Sequence, residues 1–191
     1  MKKFFLIMAI TAAVASLTVS CGNDDDAQDD AGVKLEGVDY SANYFKAGVI
    51  SYPLTAGTCI YFIQQNNSEY SICFVGGGLT IDTGTADYFI GSGFYFALDD
   101  IDCLSKGRIP PSGTYAYSDK PSAEFSIGGL YYCGNYVDNN PEATHLKDDY
   151  TVIITNLGDE KIEVAFKGTD KNGLPVVGHY KGAITCVEED E

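Results

Sequence analysis

From Tyr150 to Val187 apolar and polar residues alternate with a period of two, the pattern of half-buried strands. In Lys161-Ile162-Glu163-Val164-Ala165-Phe166-Lys167 the side chains of Ile162, Val164 and Phe166 share one face. Lys161, Glu163 and Lys167 share the other. Asp170-Lys171-Asn172-Gly173 follows as a turn, with Gly173 where a positive φ is needed. A three-residue loop there predicts Phe166 opposite Val176 and Ile162 opposite Tyr180. Upstream, a loop at Leu157-Gly158-Asp159 predicts Ile154 opposite Ile162 and Val152 opposite Val164. These registers keep the apolar sets on one face, which is what fixes register. Three strands with one dry face need a second layer.

The rest of the body, residues 34–188, offers material for it. Thr58–Gln64 and Tyr70–Val75 flank the loop tetrad Gln65-Asn66-Asn67-Ser68 and predict a hairpin. Gly76-Gly77-Gly78 breaks the chain, and Gly93–Leu98 is a further strand that ends at Asp99-Asp100-Ile101-Asp102. Ile109-Pro110-Pro111-Ser112-Gly113 is a stiff turn into Thr114–Tyr117, and Phe125–Tyr136 is a strand bent at Gly128-Gly129. A loop with one helical turn is expected from Asn139 to Glu142. No stretch sustains helical periodicity. Many short aromatic strands separated by turn signals predict an all-β fold, an antiparallel two-sheet β-sandwich, with a small up-and-down β-barrel as the alternative.

The N-terminus breaks the strand pattern. Lys2 and Lys3 precede the apolar run Phe4–Ala15, which is short for a membrane span and is followed by polar residues. Residues 1–20 therefore read as a signal peptide. Ala13-Val14-Ala15 offers one cleavage site, and Leu17-Thr18-Val19-Ser20-Cys21 another. The second resembles a bacterial lipobox, which implies cleavage before Cys21 and a lipid on its thiol. Residues 21–33 then form an acidic tether, with Asp24, Asp25, Asp26, Asp29 and Asp30 and almost nothing to bury. Asp24, Asp25 and Asp26 resemble the surface-export signal of Bacteroidota lipoproteins. That implies an outer-membrane, lipid-anchored protein facing the cell exterior.

The body is similar to single-domain β-sandwich lipoproteins of Bacteroidota. Gly113-Thr114-Tyr115, Phe166-x-Gly168-Thr169-Asp170-x-x-Gly173 and Gly178-x-Tyr180-x-Gly182 carry the likeness. These are turn and core residues, so the resemblance implies fold and location and transfers no activity.

Charge and cysteines narrow the chemistry. The formal charge is −15, and loss of Lys2 and Lys3 with the signal, two positive charges, takes it to about −17. Such a surface repels nucleic-acid phosphates. Beyond Cys21 five cysteines remain, an odd number. Cys59 and Cys73 lie nearly symmetrically about Asn66 and are the candidate disulfide, with Cys186 a free thiol in the core. A Cys103–Cys133 bridge would imply a different strand order. No Cys-x-x-Cys occurs.

Candidate catalysis is thin. His145 falls in a loop and His179 at a solvent-facing parity, and there is no Gly-x-Ser-x-Gly or His-Glu-x-x-His. Asp99, Asp100 and Asp102 lack the spacing of a calcium loop, so no metal or other cofactor is assigned. The chain holds fourteen Tyr, ten Phe and no Trp, more rings than one strand face can bury. Tyr131, Tyr132 and Tyr136 sit on a single strand and cannot all face inward, so they are the candidate ligand contacts. The sequence favours a non-catalytic binding or adhesion module for a glycan or protein. The alternatives are a carboxylate-based glycosidase, or a structural part of an envelope or fimbrial assembly.

Overall fold

The computed structural model describes residues 33–63, 68–82, 89–103, 107–118, 125–137 and 142–188. Cys21, Asp24, Asp25 and Asp26 lie outside the described residues, as do Gln65–Asn67 and most of the loop expected at residues 139–142. The described residues contain strands and no helix. In chain order the strands are β1 (Tyr44–Ala47), β2 (Ile50–Pro53), β3 (Ala56–Ile63), β4 (Ser68–Gly76), β5 (Thr80–Ile81), β6 (Phe89–Ile90) and β7 (Gly93–Cys103). Then come β8 (Gly113–Tyr117), β9 (Ser126–Tyr136), β10 (Thr144–His145), β11 (Thr151–Gly158), β12 (Lys161–Thr169), β13 (Pro175–Ala183) and β14 (Thr185–Glu188).

All but β5 and β6 join one mixed sheet, ordered β14-β3-β4-β7-β9-β8-β11-β12-β13-β1-β2, with β10 on β9. The all-β expectation holds. The second layer is supplied by the same sheet, which curls. Edge strand β2 runs through Leu54 and Thr55 into β3, next to the other edge. Rings from the two ends meet inside the curl. Phe166 stacks on Phe96 at 4.1 Å, Phe45 lies 4.8 Å from Phe94, and Phe74 lies 4.6 Å from Tyr180. Ladder hydrogen bonds run unbroken across the parallel β8–β9 junction, so the strands form one bent sheet where two separate sheets were expected.

The C-terminal meander is present, and Ile162, Val164, Phe166, Val176 and Tyr180 are buried together in the main core. The register differs from expectation by two residues. Phe166 faces Gly178 and Val164 faces Tyr180, while Ile154 faces Val164. An even shift preserves the faces. The cause is steric: a Cβ at Gly178 would lie 2.2 Å from Phe166 Cζ, so the ring occupies the space that glycine leaves. Gly173 has φ +85°, as its turn requires.

β7 continues to Cys103, past the end expected at Leu98. Against β4 it carries one extra residue between Leu98 and Ile101, a bulge with Asp100 at φ 52°. The extra residue resets the parity. Leu98, Ile101 and Cys103 stay in the core, and Asp99 and Asp102 fall on the other side.

His179 is a correction. It is buried, not solvent-facing, because the segment before β1 covers that side of β13. Its Nδ1 lies 2.8 Å from the Ala42 carbonyl, its Nε2 lies 3.0 Å from Glu163, and the Tyr40 ring packs on it at 5.0 Å. His179→Ala is expected to cost about 1–3 kcal/mol, since it strands buried acceptors. Limited proteolysis should then cut first between residues 35 and 43; an unaltered cleavage order would show that Asn43, bonded to Lys181, holds the segment alone.

Candidate functional site

The outer, convex side of β3, β4, β7 and β9 carries a second, smaller apolar cluster of Val75, Leu79, Tyr95, Cys133 and Tyr136. Ile81 and Phe89, paired across the β5–β6 hairpin, pack onto it. A cavity of about 290 Å³ opens beside this cluster. Register explains the cavity. Thr58 faces Cys73, Cys73 faces Ala97, and Ala97 faces Tyr131, so one row of the sheet carries three small residues and then a ring. Ser71 adds a fourth small side chain. Tyr95 and Phe89, stacked at 4.8 Å, stand beside this low floor. Tyr131 meets Tyr95 edge-on at 6.1 Å and 85°.

Asp99 is the charged residue among the lining side chains, and Ser71 Oγ donates a short hydrogen bond to its Oδ1. The bulge in β7 is what turns Asp99 toward this side. Glu69, Asp100 and Asp102 lie close by. Burial and then the neighbouring carboxylates push Glu69 and Asp100 above the ordinary carboxylate range, although the hydrogen bond from Glu69 opposes this at Asp100. Among the described residues no three His, Cys, Asp or Glu side chains converge as a metal site. Burial raises Tyr95 to about 12 and pushes Tyr131 up as well, where the charge of Asp99 adds to the effect. Both phenols are therefore neutral at physiological pH. Burial and then Asp99 push Cys73 up too, so it is a thiol and a poor nucleophile.

The three candidate tyrosines separate. Tyr131 lines the cavity. Tyr132 points to the main core, where its hydroxyl donates to Asp170 at 3.0 Å. Tyr136 is buried edge-on against Phe89 at 5.2 Å and supports the cavity's roof. His145 is exposed, with its ring 5.5 Å from Tyr131.

The Cys59–Cys73 bridge does not fit the register. Cys59 faces Ile72 and Cys73 faces Thr58, so the two thiols lie on opposite sides of the sheet, Cys59 in the main core and Cys73 in the outer cluster. Cys103 and Cys133 are divided in the same way. Cys59 is instead opposite Cys186 across the parallel β3–β14 pair.

Sequence reasoning missed Ser71, Tyr95 and Phe89 as cavity residues. The signal for Ser71 was present in Ser68–Gly76, where small polar residues alternate with large apolar ones. Phe89 gave no signal, because β6 is only two residues long. Comparisons with known protein families, curated proteins and solved structures find no match to this chain.

Proposed function

We propose that this chain is a lipid-anchored binding protein of the outer membrane, facing the cell exterior, that holds a glycan or protein ligand without transforming it. The observation that carries the reading is the outer-face cavity. It joins aromatic walls, a small-residue floor and one carboxylate, the composition of a recognition pocket. The tether of residues 21–33 and the lipobox-like Leu17–Cys21 supply the anchoring part, in the plan of Bacteroidota surface lipoproteins. In packing terms we read the curl as sandwich-like, with β3-β4-β7-β9 over β11-β12-β13-β1. A second reading, a component of an envelope or fimbrial assembly, is favoured by the sheet's edge strands, β2 and β14, which offer ladders for strand addition.

A glycan array and a pull-down comparing the wild-type protein with Tyr131→Ala test the binding function. Loss of a ligand on Tyr131→Ala supports the cavity as its site, and equal binding by both proteins places recognition elsewhere. For the anchor, Cys21→Ser should move the protein from the membrane fraction to the soluble one. Replacing Asp24, Asp25 and Asp26 by alanine should leave it membrane-bound but shield it from external protease. Persistent membrane association of Cys21→Ser rejects lipidation, and unaltered protease access rejects the export signal.

A further inference from the structure

We propose that the outer-face cavity selects an organic ammonium group, a small cation on a short apolar stem, with its head against Asp99 and its stem among Tyr95, Tyr131 and Phe89. This rests on the reading of the cavity as the binding site and names the chemistry it prefers.

Size comes first. A volume of about 290 Å³ is at the lower limit of small-molecule sites, so one compact group enters. Charge comes next. Among the described residues that line it there is no Lys, Arg or His, and Asp99 gives the cavity a negative end. Ser71 fixes the orientation of Asp99 through Oδ1. The Glu69–Asp100 pair, next to it, adds negative potential there, and among the described lining residues an anionic ligand would meet hydroxyl and thiol groups but no cationic side chain to offset that repulsion. The walls act in the same direction. Tyr131 meets Tyr95 edge-on and Phe89 stacks on Tyr95, so a group in the cavity sits in a corner walled by rings. Ring faces attract cations, more strongly where water is displaced. The apolar part of the lining, Ile60, Ile81, Phe89 and Ala97, suits a stem without hydroxyls. Of a glycan or protein ligand the cavity therefore takes an amino-bearing part in preference to an unmodified sugar, whose hydroxyls would lose partners in water against these side chains. An alkylammonium has one polar end and needs one polar anchor.

Calorimetric titration of the full chain in detergent tests the selection. The probes are choline and n-butylammonium, with 3,3-dimethyl-1-butanol as the uncharged isostere of choline and glucose as a neutral sugar. Both cations should bind saturably, and the uncharged isostere at least about tenfold more weakly. Asp99→Asn should weaken both cations by about tenfold or more and remove the preference over the isostere. Ala97→Leu keeps the charge and the Ser71 hydrogen bond but fills the floor, and it should abolish binding of every probe. Thermal melts of both variants verify folding, and if Asp99→Asn unfolds, Ala97→Leu and the isostere comparison still decide. Equal affinity for choline and its isostere, or no saturable binding of either cation, overturns the proposal. Glucose binding that Ala97→Leu removes would reject cation selection and keep the cavity as a binding site. If, in addition, no ligand responds to Tyr131→Ala, the binding reading fails with it.

Discussion

Phe166→Ala should lower the unfolding free energy by about 3–5 kcal/mol, against under about 0.5 kcal/mol for Lys167→Ala on the other face of the same strand. Phe166 is fully buried and touches rings from both ends of the curled sheet: Phe96 of β7 at 4.1 Å and Phe45 of β1 at 5.8 Å. Removing it opens a cavity where the two halves meet, a position that neighbours held in two ladders cannot easily fill. The complementary variant is Gly178→Ala. Its new Cβ would lie 2.2 Å from Phe166 Cζ and 2.6 Å from the Tyr44 carbonyl oxygen. The backbone oxygen cannot rotate away, so the cost should reach roughly 3 kcal/mol, the upper end for overpacking. Combining the two changes makes the ring–glycine contact measurable. Phe166→Ala removes the clash at Cζ, so the double variant should be less destabilised than the sum of the singles. Strict additivity in denaturant melts would show that the ring does not set the register.

That contact also shows what the sequence carried and what it did not. Alternation placed Ile162, Val164 and Phe166 on the core face correctly, because period two survives any even slip. It could not choose between registers two residues apart. The glycine opposite a phenylalanine was the deciding signal, and it needs the third dimension to be recognised. The same limit applies to β7. A bulge adds one residue and inverts every later parity, so Asp99 and Asp102 read as a strand end when they lie on either side of a bulge within one. His179 had the parity of an exposed residue, but a segment distant in sequence covers it, and alternation within one strand reports nothing of that cover. Tyr131 was legible as a candidate because three tyrosines on one strand exceed what one face can bury. Which of them lined a cavity depended on Ala97 and Cys73 beside it, residues from other strands. The edge-to-edge curl had no local signal, since each strand taken alone looks the same in a sandwich and in a bent sheet.

Asp170→Ala should be comparably severe, about 3–5 kcal/mol, because it strands several donors at once. Asp170 is fully buried. Its Oδ1 accepts from the backbone N–H of Asn172 at 2.9 Å and of Leu174 at 2.8 Å, and its Oδ2 accepts from Tyr132 Oη at 3.0 Å. One carboxylate thus shapes the β12–β13 turn and ties it to β9, across the curl. Burial alone would raise its pKa, but the hydrogen bonds from Leu174, Tyr132 and Asn172 outweigh burial and hold it below the ordinary 3.8. The sign follows. A carboxylate lowered in the folded state contributes stability that is present above its unfolded pKa and is lost as pH falls through the folded value. Glu163 acts in the same direction: burial raises it, but His179 and Lys181 bond it and bring it below 4.5. Asp170→Asn keeps the shape and one oxygen for the turn, and Tyr132 can reverse its hydroxyl to accept from the amide. It should cost about 1–2 kcal/mol at pH 7, the range of a lost charge-assisted hydrogen bond. It also removes the titration. In denaturant melts from pH 7 down to pH 2, the stability gap between wild type and Asp170→Asn should therefore stay constant to about pH 4 and shrink below it. A gap independent of pH would mean that Asp170 titrates alike in the folded and unfolded protein, and a gap that widens as pH falls towards 4 would mean that the folded protein holds it as a neutral acid.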